Sequence, residues 1–201
     1  MRRMFISLVF LTSLIYLTGC ASNKNLSDTS TGNIPDWYSN IPHDPNYFFA
    51  TNSQTSRDMQ MAVDKATEGA RADIARQIQT KLSNLQKRFR QEVGTSDNSQ
   101  LLSQFTEVTK NVTDESMSGT HVAKQKILKD KNAFRAYVLV EYPIGAANKA
   151  LMQQLKQNNH LYTRFKASQS YKELNKEVKQ YDKWKQNQGQ QTQPQAQNSN
   201  Q

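Results

Sequence analysis

The run Phe134-Arg135-Ala136-Tyr137-Val138-Leu139-Val140-Glu141-Tyr142 decides the fold class. Its β-branched and aromatic content gives it strong strand propensity, and Pro143 ends it. Upstream, Gly119 to Leu128 alternates, with His121, Ala123, Gln125 and Ile127 on one side and Val122, Lys124, Lys126 and Leu128 on the other. Lys129-Asp130-Lys131-Asn132 between them reads as a turn, so the two segments form a β-hairpin. Gly145 follows Pro143, and Ala146 to Lys156 begins a helix through Ala147, Leu151 and Leu155.

On the N-terminal side of the hairpin lies a long helical pattern beginning near Arg57. Met59, Val63, Ala66, Ala70, Ile74, Ile78, Leu82, Leu85 and Phe89 recur on average about 3.75 residues apart, close enough to the helical period for one face to stay buried. The Ala-rich half, Ala62 to Ala75, should approach its neighbour closely, and the Leu half should stand further off. Ser56-Arg57-Asp58 supplies an N-cap region, with Asp58 complementing the helix dipole. Gly94 to Gln100 breaks the pattern, and Leu101 to Ser116 resumes it more weakly through Leu102, Phe105, Val108 and Val112. Ahead of the long helix, Pro35 and Pro42 fix extended or turn backbone, and Tyr47-Phe48-Phe49-Ala50-Thr51 has the composition of a strand. Trp37, beside these prolines, reads as a packing lid or as a ligand platform.

The chain has 201 residues, 36% of them hydrophobic, and a mean hydropathy of −0.82, values that exclude a multispan membrane protein. Many of the apolar residues lie in the first nineteen positions. Arg2 and Arg3 precede Phe5 to Leu17, an apolar stretch too short for a comfortable membrane span and of the right length for a signal-peptide core. It runs into Leu17-Thr18-Gly19-Cys20, which resembles the bacterial lipobox, in which small residues precede a cysteine that is lipidated and becomes the new N-terminus. Cys20 is the only cysteine, so disulfides within the chain and Cys-rich zinc sites are excluded and lipidation is its expected role. Several acyl chains on one residue anchor durably, each buried methylene adding about 0.8 kcal/mol. Ala21 and Ser22 follow Cys20 where an inner-membrane retention signal would carry Asp, which resembles an outer-membrane address.

The chain therefore divides into a signal segment at 1–19, a lipidated tether at 20–33, an α+β domain at 34–157, a basic helical extension at 158–185 and a Gln/Asn-rich tail at 186–201. The tether and the tail read as disordered. In the extension, Leu174, Val178 and Tyr181 keep helical spacing, flanked by Tyr171 and Trp184. Lys172, Lys176, Lys179, Lys183 and Lys185 surround them. Such a helix can lie on an anionic surface or dock on a partner; it can equally pack on its own domain or its own oligomer. With Trp37 and Trp184, Lys172, Lys176, Lys179 and Lys183 form the candidate interaction surface.

The formal charge is +9, falling to +7 once Arg2 and Arg3 leave with the signal, which favours anionic partners. On the long helix the cations lie all round the axis without interleaved aromatics, so nucleic acid is not an expected partner. His43, His121 and His160 are scattered, Asp114-Glu115 point in different directions on a helix, and no nucleophile motif or Gly-rich loop is present. We expect no catalytic residue, no cofactor and no metal: a chain that is not an enzyme.

The order of these parts resembles the twenty-kilodalton membrane-associated lipoproteins first known from Helicobacter. Its most specific pieces are Pro35-Asp36-Trp37 and the helix Ala66-Thr67-Glu68-Gly69-Ala70-Arg71-Ala72-Asp73-Ile74-Ala75, with the strand Tyr137-Val138-Leu139-Val140 closing the hairpin. The family usually has glycines after the aromatic strand, where this chain has Phe49-Ala50-Thr51-Asn52-Ser53. The resemblance implies a small α+β domain, with helices covering one face of a short antiparallel sheet made of the N-terminal strand and the hairpin. It also implies a non-enzymatic protein presented from the outer membrane, in the periplasm or at the cell surface. The expected function is an interaction or scaffolding module of the cell envelope with a protein partner or a homo-oligomer; a related flagellar lipoprotein assembles into disks around the motor, so a self-assembling component linked to motility is one alternative, and an activator or binder of cell-wall enzymes or peptidoglycan is another.

Overall fold

A computed structural model describes residues 33–94 and 98–191. The signal segment, Cys20 and the tether as far as residue 32 lie outside the described residues, as does the tail from 192 onward. From Ile34 the chain forms one compact α+β unit.

Pro35 has extended backbone (φ −63°, ψ 138°) but caps a one-turn helix, α1 (Asp36–Ser39), where the sequence reading expected an extended or turn segment. Strand β1 (Tyr47–Ser56) outlasts its aromatic core by several polar residues. Strands β2 (His121–Asp130) and β3 (Ala133–Pro143) form the hairpin, and Lys131-Asn132 alone make its turn, with Lys131 at φ 52°. The sheet order is β1-β3-β2, antiparallel throughout, with Ala50 opposite Val140.

Because β3 is central, Ala136 to Val140 are all buried. Ala136, Val138, Val140 and Tyr142 face the helical core. Tyr137 and Leu139 point to the other side, where the Tyr38 ring of α1 stands edge-on to Tyr137 at 5.0 Å. The alternation read in β2 does not survive intact. A register shift between Val122 and Lys124 leaves Ala123 as an extra residue, so Val122 and Ile127 both reach the core side.

Helix α2 (Met59–Val93) crosses the sheet. The Asp58 carboxylate accepts from the Met61 amide at 2.7 Å and caps its start. Its buried stripe runs through Ala62, Ala66, Ala70, Ile74, Ile78, Leu82, Leu85 and Phe89. Met59 and Val63, expected in that stripe, are displaced by Ala62: Met59 is exposed and Val63 only partly buried. The small residues allow the close approach expected of this half. A Cβ at Gly69 would fall 2.5 Å from Asn52 Nδ2 of β1, so only glycine lets the helix settle here without displacing that side chain.

At about 1.5 Å per residue α2 is some 50 Å long, more than a short sheet can cover. Its second half is enclosed by α3 (Ser99–Ser118), α5 (Asn159–Lys166) and α6 (Gln169–Gln191), while α4 (Ile144–Gln157) packs against α3, α5 and α6. Phe89 of α2, Phe105 of α3 and Phe165 of α5 meet with ring centroids 5.3–5.5 Å apart, and all three are fully buried.

The sequence pattern of α3 was weak because hydroxyls occupy core positions. Thr113 and Ser116 donate to the carbonyls of Thr109 and Val112, which lets them be buried without orphaned polar atoms.

The boundary expected at Gln157 is therefore corrected. Leu161, Phe165, Leu174 and Val178 belong to the same core as the sheet, and α6 continues to Gln191, into the segment read as a tail from Gln186. Removing the Phe165 ring (Phe165→Ala) should lower unfolding stability by about 3–5 kcal/mol in urea titrations of the whole chain. An unchanged midpoint would mean that α5 is an appendage after all.

Candidate functional site

Helix α6 carries most of the candidate residues, and its start is held by a residue the sequence reading did not single out. The Glu92 carboxylate, near the end of α2, accepts from the amides of Gln169 (2.6 Å) and Ser170 (3.0 Å) and from the Ser170 hydroxyl (2.6 Å). An anion thus closes the first-turn donors of α6 from a different helix. Burial pushes the Glu92 pKa up. The Ser170 hydroxyl, the two amides and the Lys172 ammonium outweigh it and hold the carboxyl below its ordinary value.

From that start the acids and bases of α6 separate. Glu173, Glu177 and Asp182 all turn toward the domain, pairing with Arg88 (3.4 Å), Lys81 (2.8 Å) and Lys149 (2.8 Å) respectively. Glu177 also accepts from Asn148 Nδ2 at 2.6 Å. Partly exposed pairs of this kind contribute little stability, but they set which way each charge points. Leu174 and Val178 are buried in the core, so the apolar face of α6 is already occupied.

What remains outside is cationic. Lys172, Lys176, Lys179 and Lys183, spaced by four, three and four residues, share one face of α6 over about 16 Å and are exposed. They border a shallow hollow of about 450 Å³ together with Tyr171, Asn175 and Gln180. None of the four forms an ion pair among the described residues.

Trp184 does not join them as a free platform. It stacks on Tyr181 (5.6 Å, 24°) and stands edge-on to Tyr47 of β1 (5.7 Å), tying α6 to the sheet. Tyr181 in turn lies over Gly145, where any Cβ would overlap its ring and Cβ. Trp37 is half-buried and edge-on to Tyr38 at 6.5 Å, on a different element from the lysines. The structure thus brings the four lysines together and leaves the two tryptophans out of their row. Cys20 lies outside the described residues.

The arrangement is a row of ammonium groups on a rigid helix, suited to holding an extended polyanion by charge. Among the described residues, no group of His, Cys, Asp and Glu is placed to hold a metal ion, and no helix is long and apolar enough to cross a membrane. The lysine spacing was legible in the sequence. The inward turn of the acids was not, because their partners lie as far as 96 residues away.

A family model described as LPP20 lipoprotein matches residues 35–142. No curated protein matches the chain. The matched segment runs from α1 through β3, so α4, α5 and the lysine row of α6 lie beyond it.

Glu92→Gln should cost about 1 kcal/mol of stability at pH 7, the ordinary value of a lost helix cap. Because the folded-state pKa is depressed, the carboxylate's contribution is fully present above its unfolded value of about 4.3 and is lost as pH falls through the folded value. Urea midpoints of the two proteins should therefore converge as pH falls through that depressed value. A gap that persists in acid would remove the carboxylate's charge from the explanation.

Proposed function

The chain belongs to the LPP20 lipoprotein family, and on that premise we propose that it is a non-enzymatic interaction module, anchored to the bacterial outer membrane through lipid on Cys20. Its partner in this reading is an anionic polymer of the cell wall, peptidoglycan, gripped by the lysine row of α6. The observation that carries the proposal is the charge separation on α6: every acid of that helix is paired toward its own domain and four lysines are left facing out.

The occupied apolar face supports the polymer over the lipid surface as the target of α6. An interfacial helix binds by burying apolar side chains among acyl chains, and Leu174 and Val178 are not available for that. Ammonium groups at intervals along one face suit a repeating array of carboxylates, and they need no pocket. Lipid on Cys20 would hold the domain near the wall, and the polar tether would supply reach. A scaffolding role asks for no catalytic group, and the three carboxylates of α6 are committed to ion pairs.

Three outcomes follow. Cys20→Ser should move the protein from the membrane fraction to the soluble envelope fraction; retention on membranes would overturn the anchor. Co-sedimentation with purified peptidoglycan should fall roughly tenfold or more between about 50 mM and 1 M salt, since the Debye length shrinks to about 3 Å. Replacing Lys172, Lys176, Lys179 and Lys183 by Gln should bring a comparable loss at low salt with an unchanged circular dichroism spectrum. Salt-independent binding, or binding undiminished in the fourfold variant, would sink the polymer reading.

A further inference from the structure

The face of the sheet turned away from α2 carries a cluster of cations that the ion pairs of the domain leave out. In the register of the hairpin Lys124 stands opposite Leu139, Lys126 opposite Tyr137 and Arg135 opposite Leu128. All three therefore project on the side of Tyr137, away from Val138 and the helical core. They are exposed, and none forms an ion pair among the described residues. Lysines on an edge strand such as β2 are an ordinary guard against pairing with a further strand. Arg135 has no such duty, because β3 is the central strand and both its neighbours are in place. Glu141, opposite His121, stands at the far end of the same face.

The chain enters the domain over this same face. α1 is seated on it: the Tyr38 ring stands edge-on to Tyr137 at 5.0 Å, and the Tyr38 hydroxyl donates to Ser53 Oγ of β1 at 3.2 Å. Residues 20–32 are all that separates Cys20 from the described chain at residue 33, just ahead of α1. Fully extended they reach no more than about 45 Å. Apolar groups stand at the same entry. Trp37 is half-buried beside Tyr38, and Ile41, two residues past α1, is half exposed. An indole beside lysines and arginines is the side-chain set that anchors proteins where a bilayer meets water.

We propose that this face, with Lys124, Lys126 and Arg135 at its centre and Trp37 at its margin, docks on the anionic phospholipid surface of the membrane that holds the lipid on Cys20. The contact depends on the anchor proposed above and gives the domain an orientation that a lipid on a tether alone does not. Charge selects the occupant: each cation close to an anionic bilayer strengthens binding about fivefold, so three strengthen it roughly a hundredfold. Such a contact is weak for a free protein, but the tether keeps the domain beside the surface, and one anchor plus a basic patch is a durable combination. The wall polymer shares the negative charge but not the tether, and chain entry over this face brings it to the membrane first. The α6 lysine row is a separate surface on a different element and uses none of these residues.

The test reconstitutes the full, lipidated chain into vesicles of phosphatidylethanolamine with phosphatidylglycerol, or of phosphatidylcholine alone. A donor fluorophore is placed on Thr55→Cys, opposite Arg135 on β1, or on Gln180→Cys of α6, and quenching by an acceptor on the lipid headgroups is read. On the phosphatidylglycerol vesicles, quenching at Thr55→Cys should exceed that at Gln180→Cys by about twofold or more. The excess should vanish on phosphatidylcholine and in about 1 M salt, where the Debye length is about 3 Å. It should vanish too in the triple variant Lys124→Gln, Lys126→Gln, Arg135→Gln, with an unchanged circular dichroism spectrum; the salt and phosphatidylcholine arms need no variant. Flotation of the unlabelled chain with phosphatidylcholine vesicles tests the anchor by itself, because that surface is neutral. A chain that floats only with phosphatidylglycerol, and no longer does so as the triple variant, keeps the docking face and removes the anchor. Equal quenching at the two positions, an excess or a flotation that survives salt or the triple variant on the same terms, or flotation with neither vesicle would overturn the proposal. So would a triple variant that loses peptidoglycan co-sedimentation with its quenching unchanged, which gives the patch to the wall.

Discussion

Everything in this fold depends on the seam between one long helix and one short sheet. Ala62, Ala66, Gly69 and Ala70 let α2 lie close on β1 and β3, so that Asn52 fills the space a side chain at Gly69 would take. Close approach over the sheet leaves a second problem, because the helix continues well past the strands it covers. Ile78, Leu82, Leu85 and Phe89 would be bare without α3, α5 and α6. The C-terminal helices are therefore a requirement of the helix's length, and the Phe89, Phe105 and Phe165 rings mark where that requirement is met.

The same geometry explains the surface of α6. Once Leu174 and Val178 are committed to the core, the rotation of the helix about its axis is set, and Glu92 sets its start. With the rotation set, the three acids meet cations of α2 and α4, and the lysines have nowhere to turn but outward. A formal charge that says little as a sum becomes informative once one helix is seen to sort it by face.

Much of this was legible along the chain. The strand Phe134 to Tyr142, its hairpin partner and the long helical stripe each rest on local periodicity, which a linear reading can follow. The errors share a cause as well. Ala62 replaced Met59 and Val63 because the helix's first turn is oriented by the sheet below it, and alternation in β2 slipped at Ala123 because a bulge has no hydrophobic signature. Helix α3 read weakly because Thr109, Thr113 and Ser116 are polar by sequence yet buried, their hydroxyls satisfied by their own helix. The boundary at Gln157 failed because the residues beyond it are sparse in apolar side chains, and a few large ones, Phe165 above all, suffice to bury a helix.

The sequence by itself determined that this is an α+β chain with a hairpin, a long helix and a basic C-terminus, because propensity and period act over a few residues at a time. Only the tertiary structure decided that the C-terminus belongs to the core, that Trp184 is held by Tyr181 and Tyr47, and that β1 stands at an edge of the sheet. Those outcomes turn on contacts between residues far apart in the chain. Whether a side chain is buried, paired or left to solvent is a property of its neighbours in space, and no window on the sequence contains them.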